Sequence, residues 1–390
     1  MFRISRLHEI MKSLPRGKFD RLVESRQADK HAKGFGCWDQ LVAMVYAQLS
    51  GANSLRVLET GFNSQGTHHY HLGTGPVRRS TLADALARRP TEVFAETARL
   101  LMAQAGRHLK RDGAELLYAL DSTSITLKGP GFDTWTGANR TRHTQGVKLH
   151  VLYENDAQIP VQHSITAPNV NDIDEGSRLP IEPGAVYVFD KGYCDYNWWG
   201  RIEAQNALFV TRFKRNAALA VESTRPITAG DAEAILNDEI VRFANKHPRG
   251  GRKNHYQKPL RRVTVARPGH DHPLVLATND LDSPARVIAQ RYQDRWQIEL
   301  FFKWIKQHLR IKTFLGRSEN AVRLQILTAL ITYLLLALYR KTENFTGSLW
   351  TLLSQVRATL FQRPAIEAAQ YRRRKEALSE FASRQGGLFA

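Results

Sequence analysis

Residues 292–314 read YQDRWQIELFFKWIKQHLRIKTF and are predicted to form a single helix with two distinct faces. At about 100° per residue, its bulky apolar side chains gather in an arc of roughly 100°. This apolar set consists of Ile298, Phe301, Phe302, Ile305 and Leu309. A separate arc holds one aromatic residue, one carboxylate and four cations, namely Tyr292, Arg295, Glu299, Lys303, Lys306 and Arg310. An apolar stripe of this width docks a helix on a protein core, so the polar set is predicted to face outward.

Glu299 on this helix has two interpretations. It can form i,i+4 pairs with Arg295 and Lys303 on a solvated face, each pair worth about 0.2 to 0.5 kcal/mol. Alternatively, it is a metal-binding carboxylate set among cations that bind phosphate groups. The second interpretation requires further carboxylates, elsewhere in the chain, that converge on Glu299.

The composition indicates a large and strongly basic protein. The 390 residues include 56 Lys plus Arg and 37 Asp plus Glu, which gives a net charge of +19 and a pI near 10.1. A chain of this length builds two or three domains, and its charge predicts a polyanionic partner, with nucleic acid as the leading candidate. The two cysteines, Cys37 and Cys194, have no metal-site spacing and form no disulfide framework, which suits a reducing cytosol.

Neither a membrane segment nor a nucleotide motif is predicted. The longest apolar run, 326–339, has 14 residues, whereas about 20 are needed to cross a bilayer. This run is therefore predicted to be a buried helix. The N-terminus lacks the apolar core of a secretory signal. A Walker-type loop and a Gly-x-Gly-x-x-Gly fingerprint are absent from the sequence, so we expect no nucleotide cofactor and no membrane partner.

Periodicity and breaker residues divide the chain into five predicted segments. They are an N-terminal helical domain (1–105), the first part of a mixed α/β core (106–214), a β-rich insertion (215–282), the completion of the core with the helix quoted above (283–345) and a C-terminal basic helical region (346–390). The first segment is either a helix-turn-helix-like DNA-binding unit or a helical packing domain. In the first case, DNA would be contacted by a helix that starts at an N-cap Ser80 and has Arg78, Arg79, Arg88 and Arg89 at its ends.

Two aspartates in the core segment follow strand-like apolar runs. Asp121 stands in LDSTS and Asp190 in FDKGY, and we expect both at the ends of interior strands. Either residue alone would be explained as a turn cap. With Glu299 they form a set of three carboxylates, which can hold two hard divalent cations about 3.5 to 4 Å apart for phosphodiester chemistry.

These motifs resemble a known family. The spacing Tyr292-x2-Arg295-x3-Glu299-x6-Lys306 matches the Tyr-Arg-Glu-Lys signature of the bacterial IS-four family of insertion-sequence transposases, and LDSTS and FDKGY look like its two aspartate motifs. The resemblance covers about 115–315, and more loosely the N-terminal helices. It implies an α/β protein with a ribonuclease-H-like mixed sheet core, interrupted by the β-rich insertion before the catalytic glutamate helix.

The same resemblance implies roles for individual residues. Asp121, Asp190 and Glu299 would be catalytic and would ligate two Mg²⁺ or Mn²⁺ ions. Contacts to phosphates or to a displaced nucleotide would come from Tyr292, Arg295 and Lys306. Lys303 and Arg310 join these DNA-binding residues because the predicted helix places them on the same face.

The implied function is that of a Mg-dependent DDE transposase. Such an enzyme cleaves insertion-sequence ends and joins them to target DNA by hydrolysis and transesterification, in a cut-and-paste reaction with a hairpin intermediate. Its partner is double-stranded DNA at the transposon ends and at the target, bound by a homodimer in a synaptic complex. We expect it in the bacterial cytoplasm, associated with the nucleoid.

Two other functions stay open. One is a catalytically silent or repurposed DNA-binding relative, and the other is a metal-dependent nuclease without strand transfer. Three tryptophans, Trp198, Trp199 and Trp296, would either stack on unpaired bases or fill the core, and we expect them in the core because buried aromatics are the commoner case.

Overall fold

The computed structural model describes residues 5–214, 217–244 and 253–362, and the basic motif YRRRKEAL, predicted to be helical, lies outside these ranges. The chain divides into two compact units, Met1–Leu101 with Gln307–Ala390, and Met102–Lys306. Whether the five predicted segments correspond to separately folding domains stays a prediction.

The described N-terminal residues are helical, as predicted. The helices are α1 (Arg6–Met11), α2 (Arg16–Ser25), α3 (Cys37–Ser50), α4 (Leu55–Asn63), α5 (His69–Leu72), α6 (Arg79–Arg88) and α7 (Thr91–Leu109). Ser54 caps α4 as expected, because its hydroxyl accepts the N–H of Val57 at 3.2 Å. The predicted cap Ser80 is wrong, since α6 begins at Arg79. The N–H of Arg79 is bound instead by the Glu59 carboxylate at 3.0 Å.

The second unit is built on one mixed sheet of nine strands, in the order β3-β2-β1-β4-β5-β9-β8-β7-β6. The strands are β1 (Leu117–Thr126), β2 (Gly146–Glu154), β3 (Ile159–Thr166), β4 (Val186–Phe189), β5 (Leu208–Arg212), β6 (Leu219–Thr224), β7 (Ile235–Phe243), β8 (Leu260–Val265) and β9 (Leu274–Thr278). The first three are antiparallel neighbours, whereas β1, β4 and β5 are parallel. This is the predicted ribonuclease-H-like core. The β-rich insertion, β6 to β9, continues the same sheet through antiparallel pairing of β9 with β5.

The two faces of the core sheet carry different apolar clusters, because successive strand residues point to opposite sides. Leu120 and Phe189 belong to a cluster with the tryptophans of 196–204. Leu117 and Val188 belong to the opposite cluster, which also contains Ile288 and Tyr292. The alternation therefore places positions 121 and 190 on the Tyr292 face.

The helices around this sheet are α8 (Asp133–Thr136), α9 (Asp172–Gly176), α10 (Tyr196–Ala204), α11 (Ala285–Asp294) and α12 (Trp296–His308). The predicted single helix over 292–314 is therefore two helices that meet at Arg295. Around this residue the backbone tightens, since the N–H of Arg295 donates to Tyr292 O and the N–H of Ile298 to Arg295 O, both over three residues at 3.3 Å. The second helix ends at His308, so Leu309 and Arg310 lie beyond it.

The predicted buried helix is α13 (Glu319–Thr342), followed by α14 (Leu349–Thr359). By length and composition alone, α13 is the one helix in the described part of the chain that is able to cross a membrane. Its most apolar window is 89% buried inside the protein. Burial to this degree is what a core helix shows, which confirms the prediction.

Candidate active site

Asp121 and Asp190 lie side by side on the Tyr292 face of the sheet. In the parallel pairing of β1 with β4, Leu120 stands opposite Phe189, so the next residues in register are the two aspartates. Asp190 directly follows β4, as predicted. Asp121 is not at a strand end, because β1 continues to Thr126 in its pairing with β2. It lies one residue beyond the last pair of β1 with the parallel strand β4, next to the position of Asp190.

The Asp121 side chain is only 23% exposed, and few donor groups offset the negative charge of its carboxylate. Its Oδ1 accepts the N–H of Ser122 at 2.8 Å, and its Oδ2 lies 3.7 Å from Nη1 of Arg295. Burial raises the pKa of Asp121 to about 6, and the nearby negative charges of Glu299 and Asp172 add to the increase. The Ser122 N–H and Arg295 only partly oppose this shift.

The negative charge of the Asp190 carboxylate, in contrast, is offset by a guanidinium group in direct contact. Its Oδ1 accepts hydrogen bonds from Nε of Arg212 at 3.0 Å and also from Nη2 of that residue. The Tyr292 hydroxyl lies 3.4 Å from the same oxygen. Burial pushes the pKa of Asp190 up, but the Arg212 hydrogen bonds outweigh it, and the pKa lies below its ordinary value. Arg212 was not predicted as a site residue, although it ends the apolar run ALFVTR.

Glu299 reaches the aspartates through Arg295. Nη2 of Arg295 donates to Glu299 Oε1 at 2.6 Å, while the same guanidinium faces Asp121. The i,i+4 pair of the first interpretation therefore forms, but not on a solvated face, since the Arg295 side chain is only 15% exposed. Arg295 connects a carboxylate of the sheet with one of the helix.

Three further predicted residues take different positions. Nζ of Lys306 donates to Thr123 Oγ1 at 2.5 Å and to Ser124 O at 3.1 Å, whereas Lys303 is exposed. Arg310 does not join this group. Its backbone N–H donates to Gln48 Oε1 at 2.6 Å, and its guanidinium donates to the carbonyl that ends α3.

Two aromatic residues differ from expectation. Trp198 and Trp199 are core residues, as predicted, but Trp296 is 55% exposed next to Arg295. Tyr292, in contrast, is only 9% exposed, so its ring lies in the apolar cluster and its hydroxyl faces Asp190. The second helix buries the predicted apolar side, with Ile298, Phe301, Phe302 and Ile305 in the core, and Trp296 lies on its other side. Tyr292 belongs to the preceding helix, α11, which packs on the sheet.

In the described part of the chain, no three His, Cys, Asp or Glu side chains are arranged closely enough to hold a metal ion. The carboxylates are bonded to guanidinium groups instead. Their donor chemistry still suits a hard cation, because Asp121, Asp190 and Glu299 offer oxygen atoms alone. Burial and the nearby carboxylates raise the pKa of Asp121, so a bound cation would stabilise its ionised form.

Comparison with known families shows which family contains this chain. The family described as Transposase DDE domain matches residues 112–335, more than half of the chain and all of the residues around the three carboxylates. The chain belongs to the DDE transposase family. Residues 3–75 match a domain of unknown function, DUF4372.

Relatives of this DDE transposase support the assignment. A protein named as transposase y4zB, of Sinorhizobium fredii, is 44% identical over 292 residues, which are 74% of this chain and 79% of that protein. A transposase for insertion sequence element IS5377 of Geobacillus stearothermophilus is 28% identical over 71% of this chain and 72% of the relative. A transposase for element IS4SA of Synechocystis is 26% identical over 66% and 71%. The resemblance to insertion-sequence transposases is thus confirmed.

Membership in this family fixes the general activity. The protein is a DNA transposase, an enzyme that cleaves nucleic acid and transfers strands. DDE transposases generally use divalent metal ions.

Proposed function

We propose that Asp121, Asp190 and Glu299 bind two divalent cations, Mg²⁺ or Mn²⁺, with which the protein cuts insertion-sequence ends and joins them to target DNA. The observation that carries the proposal is the adjacent placement of Asp121 and Asp190 in the β1–β4 register, with Arg295 connecting Asp121 to Glu299. Bound cations would supply the Lewis acidity that activates the attacking oxygen and stabilises the leaving one.

The residues around the carboxylates suit binding of a DNA phosphate. The Arg295 Nε is buried and has no hydrogen-bond partner in the described part of the chain. This nitrogen is shielded from solvent, so a phosphate would be bound by the terminal nitrogens of the planar guanidinium, which suits bidentate contacts. Lys306, already beside β1, and the exposed Lys303 would act as point charges on the neighbouring backbone.

The aromatic contact is assigned to the hydroxyl of Tyr292 and the ring of Trp296. Because the Tyr292 ring is buried, its hydroxyl is the group that faces the reacting centre. Trp296 has the exposed ring, on which an unpaired base of a displaced strand would stack for about 1 to 3 kcal/mol. Arg310 would contribute to DNA binding only if its guanidinium left the α3 carbonyl.

The N-terminal helices are proposed to contribute to DNA binding through α6. Arg78, Arg79 and Arg88 are exposed around this helix, which gives it a cationic outer side suited to the DNA backbone. Arg89 is excluded from this role because its guanidinium donates to Phe35 O, Gly36 O and Gln40 Oε1. It holds the start of α3 instead.

The further details follow from the resemblance to insertion-sequence transposases. We propose a cut-and-paste reaction in which hydrolysis frees a 3′-hydroxyl and its attack on the opposite strand forms a hairpin at the transposon end and releases the flanking DNA. A second hydrolysis then opens the hairpin, and the regenerated 3′-hydroxyl attacks the target DNA. A homodimer would bring two ends together in a synaptic complex in the bacterial cytoplasm, at the nucleoid. Two alternatives, a silent DNA-binding relative and a nuclease that only cuts, predict different products.

The first test is divalent-metal-dependent cleavage of DNA that carries the two ends flanking this gene. Asp121→Ala and Glu299→Gln are compared with the parent, and Asp174→Ala serves as a control because Asp174 is an exposed acid on α9. We expect both site variants to bind DNA and to lose cleavage by about 10²-fold or more, as for loss of a major electrostatic group in an active site.

The reaction products distinguish the transposase from the two alternative functions. Cleavage with joining to a target plasmid supports the transposase reaction, whereas cleavage without joining indicates the nuclease. Binding without cleavage by the parent indicates the silent relative. Cleavage at the parental rate by Glu299→Gln would overturn the role of Glu299.

A further inference from the structure

Asp172, the first residue of α9, lies on the reverse face of the sheet behind Asp121. Its Oδ1 accepts the hydroxyl of Ser122 at 2.7 Å and Nζ of Lys148 at 3.2 Å. The same oxygen stands 3.6 Å from Nδ1 of His150. These contacts lie on one face, since Ser122 is directly opposite His150 in the β1–β2 pairing.

Ser122 connects this group to Asp121. Its side chain points to the reverse face and donates to Asp172, while its backbone N–H donates to Asp121 Oδ1 at 2.8 Å. One residue is therefore held by a carboxylate on each side of the strand. This arrangement occupies Oδ1 of Asp121 and leaves Oδ2 facing Arg295.

Asp172 is itself anchored. Nζ of Lys148 also donates to the Val170 carbonyl at 2.8 Å, two residues before Asp172. His150 is buried, and its Nε2 is within 2.8 Å of Thr166 Oγ1. Strands β2 and β3 thus hold the Asp172 carboxylate in place, so that it is able to transmit a fixed orientation to Ser122.

The same carboxylate lies beside the turn that follows Asp190. A Cβ built at Gly192 would stand 3.7 Å from Asp172 Oδ2, which is ordinary van der Waals contact. Tyr193, next in the chain, is buried against Gly176 at the end of α9. The five-residue helix α9 is therefore packed between the segments that carry both aspartates.

We propose that Asp172 is a positioning residue that, through Ser122, fixes the Asp121 carboxylate in the orientation that binds a divalent cation. This inference rests on the proposed function of Asp121 as a metal ligand. Groups that orient a metal ligand from behind typically change metal affinity by about 10- to 100-fold when removed.

The test measures Mn²⁺ binding to the full-length protein without DNA, by calorimetry and by electron paramagnetic resonance of free Mn²⁺. The variants are Asp172→Ala, Asp172→Asn, Ser122→Ala and the double variant Asp172→Ala with Ser122→Ala. The matched control is Asp174→Ala, which removes an exposed acid from the same short helix. Thermal unfolding of each variant reports whether it is folded.

We expect Asp172→Ala to weaken Mn²⁺ binding about 10-fold or more, and Ser122→Ala to weaken it in the same direction. The double variant should bind about as weakly as the weaker single variant, because the two residues act through one contact. Asp172→Asn should fall in between, since its amide oxygen can still accept the Ser122 hydroxyl. Asp174→Ala should bind like the parent.

Asp121→Ala separates this inference from the proposed function. If Asp121→Ala binds Mn²⁺ like the parent, the metal site itself is misassigned. If Asp121→Ala loses binding but Asp172→Ala stays within about twofold of the Asp174→Ala control, the positioning role is overturned and the metal site stands. Should Asp172→Ala fail to fold, Ser122→Ala decides, because parental affinity in that variant overturns the proposal.

Discussion

At the scale of single residues, two neighbouring aspartates have opposite electrostatic environments. Asp190 is neutralised by Arg212, whereas Asp121 receives one backbone N–H and a more distant guanidinium. A cation that enters the site must therefore compete with Arg212 at Asp190, while at Asp121 it competes with a proton. If both carboxylates bind a cation as proposed, the cation would displace Arg212 at Asp190 and a proton at Asp121.

This difference predicts how stability depends on pH in the absence of metal. The pKa of folded Asp121 is raised from 3.8 to about 6, so the folded protein binds this proton more tightly than the unfolded chain does. The stabilisation is full below pH 3.8 and is lost as the pH rises through about 6. In EDTA, Asp121→Asn should therefore gain about 1 to 3 kcal/mol over the parent between pH 4.5 and 7.5.

Denaturant unfolding of the parent and Asp121→Asn at both pH values measures this effect. Asp174→Asn is the control and should follow the parent. Parallel stability curves for Asp121→Asn and the parent would contradict the assignment of the raised pKa to this residue.

The site residues that the sequence predicted stand in short motifs with a defined spacing. The site residues that it did not predict depend on strand pairing and helix packing. Asp121, Asp190 and Glu299 stand in short motifs that can be identified in the printed chain. Arg212 and Asp172 acquire their meaning from register and from helix packing, because one is a strand-end cation and the other one acid among several in NDIDE. The sequence has no signal that pairs Arg212 with Asp190, 22 positions away.

At the scale of elements, the site takes residues from two helices that meet at Arg295, where a single helix was predicted. A continuous 3.6-residue period placed Tyr292 and Lys303 on one outward face, but the turn at Arg295 leaves Tyr292 in α11 and Lys303 in α12. Tyr292 packs into the sheet cluster, whereas α12 keeps its predicted apolar side in the core and exposes Trp296 on the other side. Periodicity alone cannot detect such a turn, since both halves of the stretch have good helical patterns.

The insertion strands contain a buried ion pair that gives a second prediction. Arg261 on β8 is 1% exposed, and it donates from Nε and Nη2 to the two oxygens of Asp238 on β7, both at 2.7 Å. Arg261→Ala would leave a buried carboxylate without its main partner. We expect this variant to lose about 3 to 5 kcal/mol of unfolding free energy.

Arg262, the next residue along β8, supplies the matched control. It pairs with Glu239 at 2.7 Å on the opposite, more exposed face. Arg262→Ala should cost less, about 1 kcal/mol, because this pair is only partly enclosed, with side chains that are 27% and 14% exposed. Equal losses in the two variants, measured by urea unfolding, would show that burial does not set the strength of the Arg261 pair.

At the scale of the whole molecule, the net charge of +19 predicts salt-dependent DNA binding. Each phosphate neutralised by a side chain contributes about 0.9 to the slope of log affinity against log salt concentration. If Lys303 and Lys306 contact phosphates as proposed, the Lys303→Gln and Lys306→Gln variants should each lower this slope by about 0.9. Fluorescence anisotropy with a duplex carrying one end of the element measures it.

Two further variants serve as controls for the salt-dependence measurement. Glu299→Gln should keep the parental slope, because it removes no cation. Lys258→Gln should also keep it, since Nζ of Lys258 is paired with Glu203 at 3.1 Å. An unchanged slope in both Lys303→Gln and Lys306→Gln would remove the helix α12 cations from the DNA-binding surface.

The way in which the insertion joins the core constrains how this gene can change in length. Strand β9 pairs with β5 at Arg212, the residue bonded to Asp190, whereas β6 forms the far edge of the sheet. A one-residue insertion in β9 would turn its side chains to the other face and disturb the partner of Asp190. Hairpins added or lost beyond β6 leave that pairing intact. Descendants of this transposase are therefore expected to vary in size at the outer edge and to keep the β5–β9 seam at constant length.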